Sequence, residues 1–311
     1  MPGYRRGLRP LDEAKHARFK SLAAYGYALA APSYPIDRTG GIGTTAWGMD
    51  GNGPDPSLTV NGGNPVGDCG PCAMPAHGGL EWAAIEGEEL AANTLSSDAL
   101  VTLYFTYEAE QAGVSWRPPA LGTAWSDADI QQASQLDDGV DLGDWLLWLV
   151  QQGLVDGFVK LSLSEMDAAL GVGFAVVVGV NLNPQADQQF DQGGPWNVGP
   201  GDLPDPQEGH AILRVKVVAQ GGTAGYVSWG QEIAATAAWD AACPQQAFGV
   251  ITRQQAEAIG FPLAQVVADL RALGGTVAPA PAPTPTPPAP PPVTPPATTG
   301  CNVFGAVLGR R

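Results

Sequence analysis

The sequence predicts an α+β fold, with helices gathered early in the chain and strands late. Three observations carry this. Apolar residues recur at helical spacing near residues 11–30, 97–107 and 144–152. From residue 158 onward the apolar runs become short, rich in β-branched residues and bounded by Gly, Asn or Asp, which reads as strands. A chain that lays down helices first and strands later segregates the two. The third observation is size: 311 residues at 44% hydrophobic content suit one large packed domain or two small ones.

The elements follow in order. Leu11, Ala14, Phe19, Leu22 and Ala23 predict a helix over about 11–30. Residues 31–66 are rich in Gly, Pro, Asn and Asp and read as a long loop, a length that is uncommon without a function. A helix begins near Cys69 and reaches about residue 88, with Pro75 and the Gly78-Gly79 pair kinking or dividing it. Ser97-Asp98 caps the next, with Leu100, Leu103, Tyr104 and Tyr107 on one face. Residues 144–152 form a third, whose Trp145, Trp148 and Leu149 face a core and which Gly153 ends. Strands are expected at 158–163, 174–182, 210–218, 224–229 and 246–252, with a Gly-Gly turn inside the pair 210–229. Ser164-Glu165-Met166-Asp167 resembles a capping box and opens a short helix. A last helix spans about 262–273. Residues 279–296 hold eleven prolines and predict a semi-stiff polyproline II spacer, followed by an apolar segment at 300–308 suited to docking on a protein partner or to fraying.

Net charge is −16 and unevenly spread. Residues 1–20 carry +4, so the remainder carries −20. An acidic body repels a phosphate backbone, which excludes nucleic-acid binding by the body, and the basic segment reads as a solvated helix face. Four cysteines are too few for a disulfide scaffold at this length. The N-terminus lacks a clean apolar run, so no signal peptide is expected; that makes the chain cytoplasmic, or virion-associated if a phage encodes it. No run of eighteen apolar residues exists to span a membrane.

Two short motifs carry the chemistry. Gly67-Asp68-Cys69-Gly70-Pro71-Cys72-Ala73 opens a helix-like run, and Gly209-His210-Ala211-Ile212-Leu213 begins a strand 141 positions after Cys69. A thiol at a helix N-terminus has its pKa lowered by the partial positive charge there, and an imidazole supplies the base. Of three histidines, His16 lies in the basic segment. His77 lies eight residues after Cys69 on the same helix, about 12 Å along it. His210 is the base by elimination. Cys69, Cys72 and His77 have finger-like spacing, but a fourth metal ligand would have to come from Cys243, so neither a metal nor a cofactor is expected.

These motifs resemble the papain-like cysteine peptidase superfamily. Asp68-Cys69-Gly70-Pro71 is similar to the Asp-Cys-Gly-Pro element of its double-glycine branch, and Gly-His-Ala-Ile-Leu to its His strand. Val227-Ser228-Trp229-Gly230 is similar to its Asn-Ser-Trp-Gly. Trp47-Gly48-Met49, Gly51-Asn52 and the Cys69 element together resemble papain-like proteins encoded by phages, and the likeness covers about 45–255. The papain pattern places its His roughly 130–150 residues after its Cys. The resemblance implies Cys69 as nucleophile, or Cys72 in the papain register. It also implies an amide side chain about six residues upstream for the oxyanion, met by Asn64 with Asn52 in reserve. Trp229 would shield the site. Val227 stands where the family has the Asn that orients its His, so either Ser228 or a backbone carbonyl substitutes or the site is weakened.

The expectation is therefore a lead-in over 1–44, a papain-like domain over 45–275 and a Pro-rich linker over 276–299, with a short apolar segment at 300–311. A helical part would carry Cys69 and an antiparallel sheet His210. The domain would hydrolyse peptide or amide bonds of a peptide or protein substrate, in a phage setting. Two other readings stand beside it: a catalytically silent papain-like module, and a thioredoxin-like oxidoreductase using Cys69-Gly70-Pro71-Cys72, which here follows loop-like rather than strand-like sequence.

Overall fold

A seven-stranded antiparallel sheet organises the molecule. Its strands are β1 (Ile36–Asp37), β2 (Gly157–Leu161), β3 (Ala175–Asn181), β4 (Gly209–Val217), β5 (Ala224–Ser228), β6 (Gln231–Ala235) and β7 (Pro244–Ile251). They lie in the order β2-β7-β3-β4-β5-β6, with β1 beside the far end of β4. The computed structural model describes residues 7–38, 69, 97–119, 125–229 and 231–273, with backbone alone at 97–100 and 231. All belong to one compact unit, Met1–Ala278. The expected linker at 276–299 and end segment at 300–311 lie outside the described residues, as does most of the segment around Cys69.

The described helices are α1 (Glu13–Ala17), α2 (Ser97–Ala112), α3 (Asp127–Leu136), α4 (Leu142–Gln151), α5 (Met166–Val172), α6 (Ala186–Asp191), α7 (Ala237–Ala242), α8 (Arg253–Ile259) and α9 (Leu263–Leu273). The α+β class holds, but α5, α6 and α7 are threaded among the strands, and α8 and α9 follow the last one. Both faces of the central strands are buried, as the run Val176-Val177-Val178 requires. On one face Phe248, Val177 and Leu213 stand opposite one another. Phe19 packs there, its ring 5.4 Å from Phe158 and 5.7 Å from Phe248. α4 closes over Phe19 so tightly that a Cβ at Gly143 would sit 2.3 Å from its ring. On the other face Gly249, Val176 and Arg214 are aligned, and α5 and α7 send side chains to Arg214.

Two local expectations need correction. The helix over 11–30 is broken into α1, capped by the Asp12 carboxylate, and a single 3₁₀ turn at Leu22–Tyr25. Lys20 and Ser21 between them are drawn into a bridge with Lys160, whose N–H donates to the Lys20 carbonyl at 3.2 Å. The capping box is Ser162 with Glu165, two residues earlier than expected, and it opens a 3₁₀ turn that runs into α5. Asp167 is unavailable as the box acid because it accepts from Arg214 (2.6 Å) and Tyr34 (2.9 Å).

The basic N-terminal segment is an internal counter-charge. Arg9 pairs with buried Glu108 at 2.7 Å, Lys15 and Arg18 with Asp144, and Lys20 with Asp269 at 2.8 Å. Part of the opposite charge of the body is thus met within the chain.

Candidate active site

The site forms where β4 begins. Gly209 opens the strand because the chain at Leu8 passes directly over it: a Cβ at 209 would lie 2.4 Å from the Leu8 carbonyl oxygen. Leu8 donates its N–H to the Gly209 carbonyl, and the flanking residues pair with Val140 (Val140 N to Gly7 O, 2.7 Å; Arg9 N to Val140 O, 2.9 Å). Residues 7–9 therefore strap the start of the His strand to the approach to α4.

Cys69 is helical, buried and a thiol rather than half of a disulfide. Its sulfur accepts the backbone N–H of Ala211 at 3.4 Å. Two groups 142 residues apart thus meet, and the sulfur lies beside the residue that follows His210.

His210 is 1% exposed. Its Nε2 is 2.6 Å from Ser228 Oγ, and its ring stacks on Trp229 at 4.8 Å and 24°. Register explains why Ser228, and not Val227, reaches it. Arg214 pairs with Tyr226 and Leu213 with Val227. Side chains alternate along strands, so His210, Ile212, Arg214, Tyr226 and Ser228 share one face and Val227 points to the other. Ser228 is thus the residue of this pair whose side chain reaches the imidazole. Trp229 then takes φ +46°, the one positive φ outside glycine among the described residues, and this turn carries the indole over the imidazole.

Behind the indole lies an aromatic wall. Phe190 of α6 meets Trp229 at 4.9 Å, Trp196 meets it at 5.7 Å, and Trp196 stacks on Trp239 at 4.8 Å. The Trp239 indole N–H donates to Asn183 Oδ1 at 3.0 Å, tying the wall to the end of β3. Further along the same face Arg214 is buried and donates to Asp240 of α7 and Asp167 of α5, each at 2.6 Å, and to the Tyr226 hydroxyl. Burial opposes the Arg214 charge, but Tyr226, Asp240 and Asp167 outweigh it and raise its pKa.

Of the residues singled out from the sequence, Cys69, His210, Ser228 and Trp229 converge here. Asn64, Asn52, Cys72 and His77 lie outside the described residues. His16 is elsewhere, edge-on to Phe248 at 5.4 Å. Cys243 caps the C-terminus of α7, and burial pushes its thiol up to about 12. Among the described residues no group of three or more His, Cys, Asp or Glu is placed to hold a metal ion, and no helix is long and apolar enough to cross a membrane. A cavity of about 280 Å³ between residues 30–37 and α5 lies away from this chemistry; its carboxylate, Asp37, pairs with Lys216 at 3.0 Å. The sequence reading missed Arg214, although a charged residue directly after the apolar run Ala211-Ile212-Leu213, four positions after the His, was a legible signal.

No family model and no curated protein matches this sequence. Among solved structures the fold is similar to the crystal structure of xylellain, a cysteine protease from Xylella fastidiosa, with 12% identity and a TM-score of 0.47 over 80% of this chain and 97% of that one. A likeness of that degree carries no weight for family or activity.

Proposed function

We propose that the protein is a papain-like cysteine peptidase or amidase that cleaves a peptide or amide bond through Cys69 and His210. The observation that carries this reading is the 3.4 Å contact from the Ala211 N–H to the Cys69 sulfur, which sets a thiol beside the His strand. In this reading His210 donates its Nε2 proton to Ser228 Oγ, so Nδ1 is the basic nitrogen and takes the thiol proton. The thiolate attacks the substrate carbonyl carbon. The oxyanion is held by the Cys69 backbone N–H and the Asn64 side chain. His210 then protonates the leaving amine, and water, deprotonated by the same imidazole, releases the acyl group and restores the thiol. The Pro-rich segment would tether the domain to a protein partner, in keeping with a phage particle.

A second reading is a catalytically silent module on the same frame, and burial favours it: Cys69 is 7% and His210 1% exposed. Peptide-mapped iodoacetamide labelling of the full chain separates the two. The enzyme alkylates at Cys69 well below pH 8, loses this reactivity with His210→Ala, and keeps it with Cys72→Ser. A silent module labels Cys69 only near the ordinary thiol range of roughly 8.5, whatever stands at 210. Redox chemistry would need both cysteines and ignore His210.

A further inference from the structure

Ser228 faces His210 because of the register in which β5 pairs with the start of β4. Near the turn, Lys216 pairs with Gly225 and Val217 with Ala224. Nearer His210 the frame shifts by one: Arg214 pairs with Tyr226 and Leu213 with Val227, with Val215 left over as a bulge. Were the turn-side frame continued without the bulge, Val227 would stand opposite Arg214 and Ser228 opposite Leu213. Every side chain of the segment would then change face. Val227 would point to the His210 side, and the hydroxyl would be lost to the other.

The bulge is fixed from both directions. Arg38, just past β1, donates its N–H to the Val215 carbonyl at 3.0 Å, so the displaced backbone is satisfied. Immediately on the His210 side, the Arg214 guanidinium clasps the Tyr226 hydroxyl opposite it, both oxygens of Asp240 (2.6 and 3.1 Å) and Asp167 (2.6 Å). Tyr226 is fully buried and also donates to Asp240. A slipped register would put Val227 where Tyr226 stands and leave the buried Arg214 guanidinium and Asp240 without that hydroxyl.

We infer that Arg214 is a positioning residue for His210: by clasping Tyr226 and Asp240 it selects the register in which Ser228, rather than Val227, meets the imidazole. Its consequence for reactivity rests on the proposed role of His210 as base; its consequence for the ring does not.

The test is ¹⁵N NMR of the imidazoles in the full-length protein, assigned with His210→Gln. Lysine at 214 keeps the charge but cannot fork to both carboxylates. Arg214→Lys is expected to move the His210 nitrogens in the direction that Ser228→Ala moves them, and the double variant to move them no further. Cys69 alkylation at pH 7 should fall about tenfold in each single variant, the scale of one hydrogen bond, with no added loss in the double. Asp240→Asn is a second, milder variant should Arg214→Lys not fold, and Val266→Ala on α9 is a control for destabilisation alone. A folded Arg214→Lys or Asp240→Asn whose His210 nitrogens stay at wild-type positions overturns the inference, as does an equal shift in Val266→Ala. If wild-type Cys69 instead alkylates as an ordinary thiol, the peptidase reading fails while the nitrogen shifts still decide the register.

Discussion

Replacing Gly209 by alanine should cost several kcal/mol, and the geometry says where. The added Cβ would meet the Leu8 carbonyl oxygen at 2.4 Å and its carbon at 3.3 Å. An ordinary contact needs about 1 Å more. Leu8 cannot easily retreat. Its N–H is bonded to Gly209, its neighbours are bonded to Val140, and Arg9 is paired with Glu108. If the strap detaches, three backbone hydrogen bonds at about 1 kcal/mol each and the burial of Leu8, about 2 kcal/mol, are lost, or about 5 kcal/mol together. If β4 yields instead, His210 moves with it, and Cys69 reactivity falls even where stability is kept. Guanidinium unfolding followed by tryptophan fluorescence, with hydrogen exchange at residues 7–9, reads both routes. Gly199→Ala is the control, since nothing lies within 4 Å of its added Cβ. A Gly209→Ala protein within about 0.5 kcal/mol of wild type, with protected amides at 8 and 9 and unchanged Cys69 labelling, would refute the reasoning.

Three further outcomes are expected. Ser228→Ala removes the 2.6 Å bond to His210 Nε2 but leaves the Trp229 stack, which sets the ring plane without setting which nitrogen points where. Stability should drop by about 1–2 kcal/mol, and the pH midpoint of Cys69 alkylation should move toward the ordinary thiol range; an unmoved midpoint would make Ser228 merely structural. Burial, with help from Lys160, lowers the His16 pKa below 6.5, so the folded protein refuses a proton that the unfolded chain accepts. Stability should therefore decline as pH falls through 6.5, and His16→Gln should show a shallower decline between pH 7.5 and 5 in denaturant midpoints. Burial pushes Glu108 up to about 8 despite the Arg9 ion pair, because Arg9 is itself 29% exposed and partly screened by water. The folded state then holds that proton more tightly than the unfolded one. Its contribution is full below about pH 4.5 and is lost as pH rises through 8, so Glu108→Gln should compare better with wild type at pH 8.5 than at pH 5. The opposite order in urea midpoints would count against it.

Local pattern was a good guide where local pattern decides. The strands 210–218 and 224–229 and the helix with Trp145 and Trp148 appear within two residues of their expected bounds, because alternation and helical apolar spacing write themselves into neighbouring residues. The helix over 11–30 failed because what breaks it is remote: Ser21 bridges Lys160. The short helix α6 was missed for the same reason. Its Phe190 is placed by Trp229, and its backbone by the indole of Trp196, which donates to the Ala186 carbonyl at 3.2 Å.

The amino-acid order by itself determined the chemical inventory: a thiol after Gly67-Asp68, an imidazole opening an apolar strand, and a Ser-Trp pair on the next strand. It also determined the α+β class, since hydrophobic period is a property of adjacent residues. Which member of Val227-Ser228 faces the imidazole was decided only in three dimensions. The answer depends on a single bulged residue and on a buried guanidinium that draws together α5, α7, β4 and β5. A one-residue slip leaves the composition unchanged and turns every side chain to the opposite face, so pairing across strands carries the information that spacing along the chain cannot.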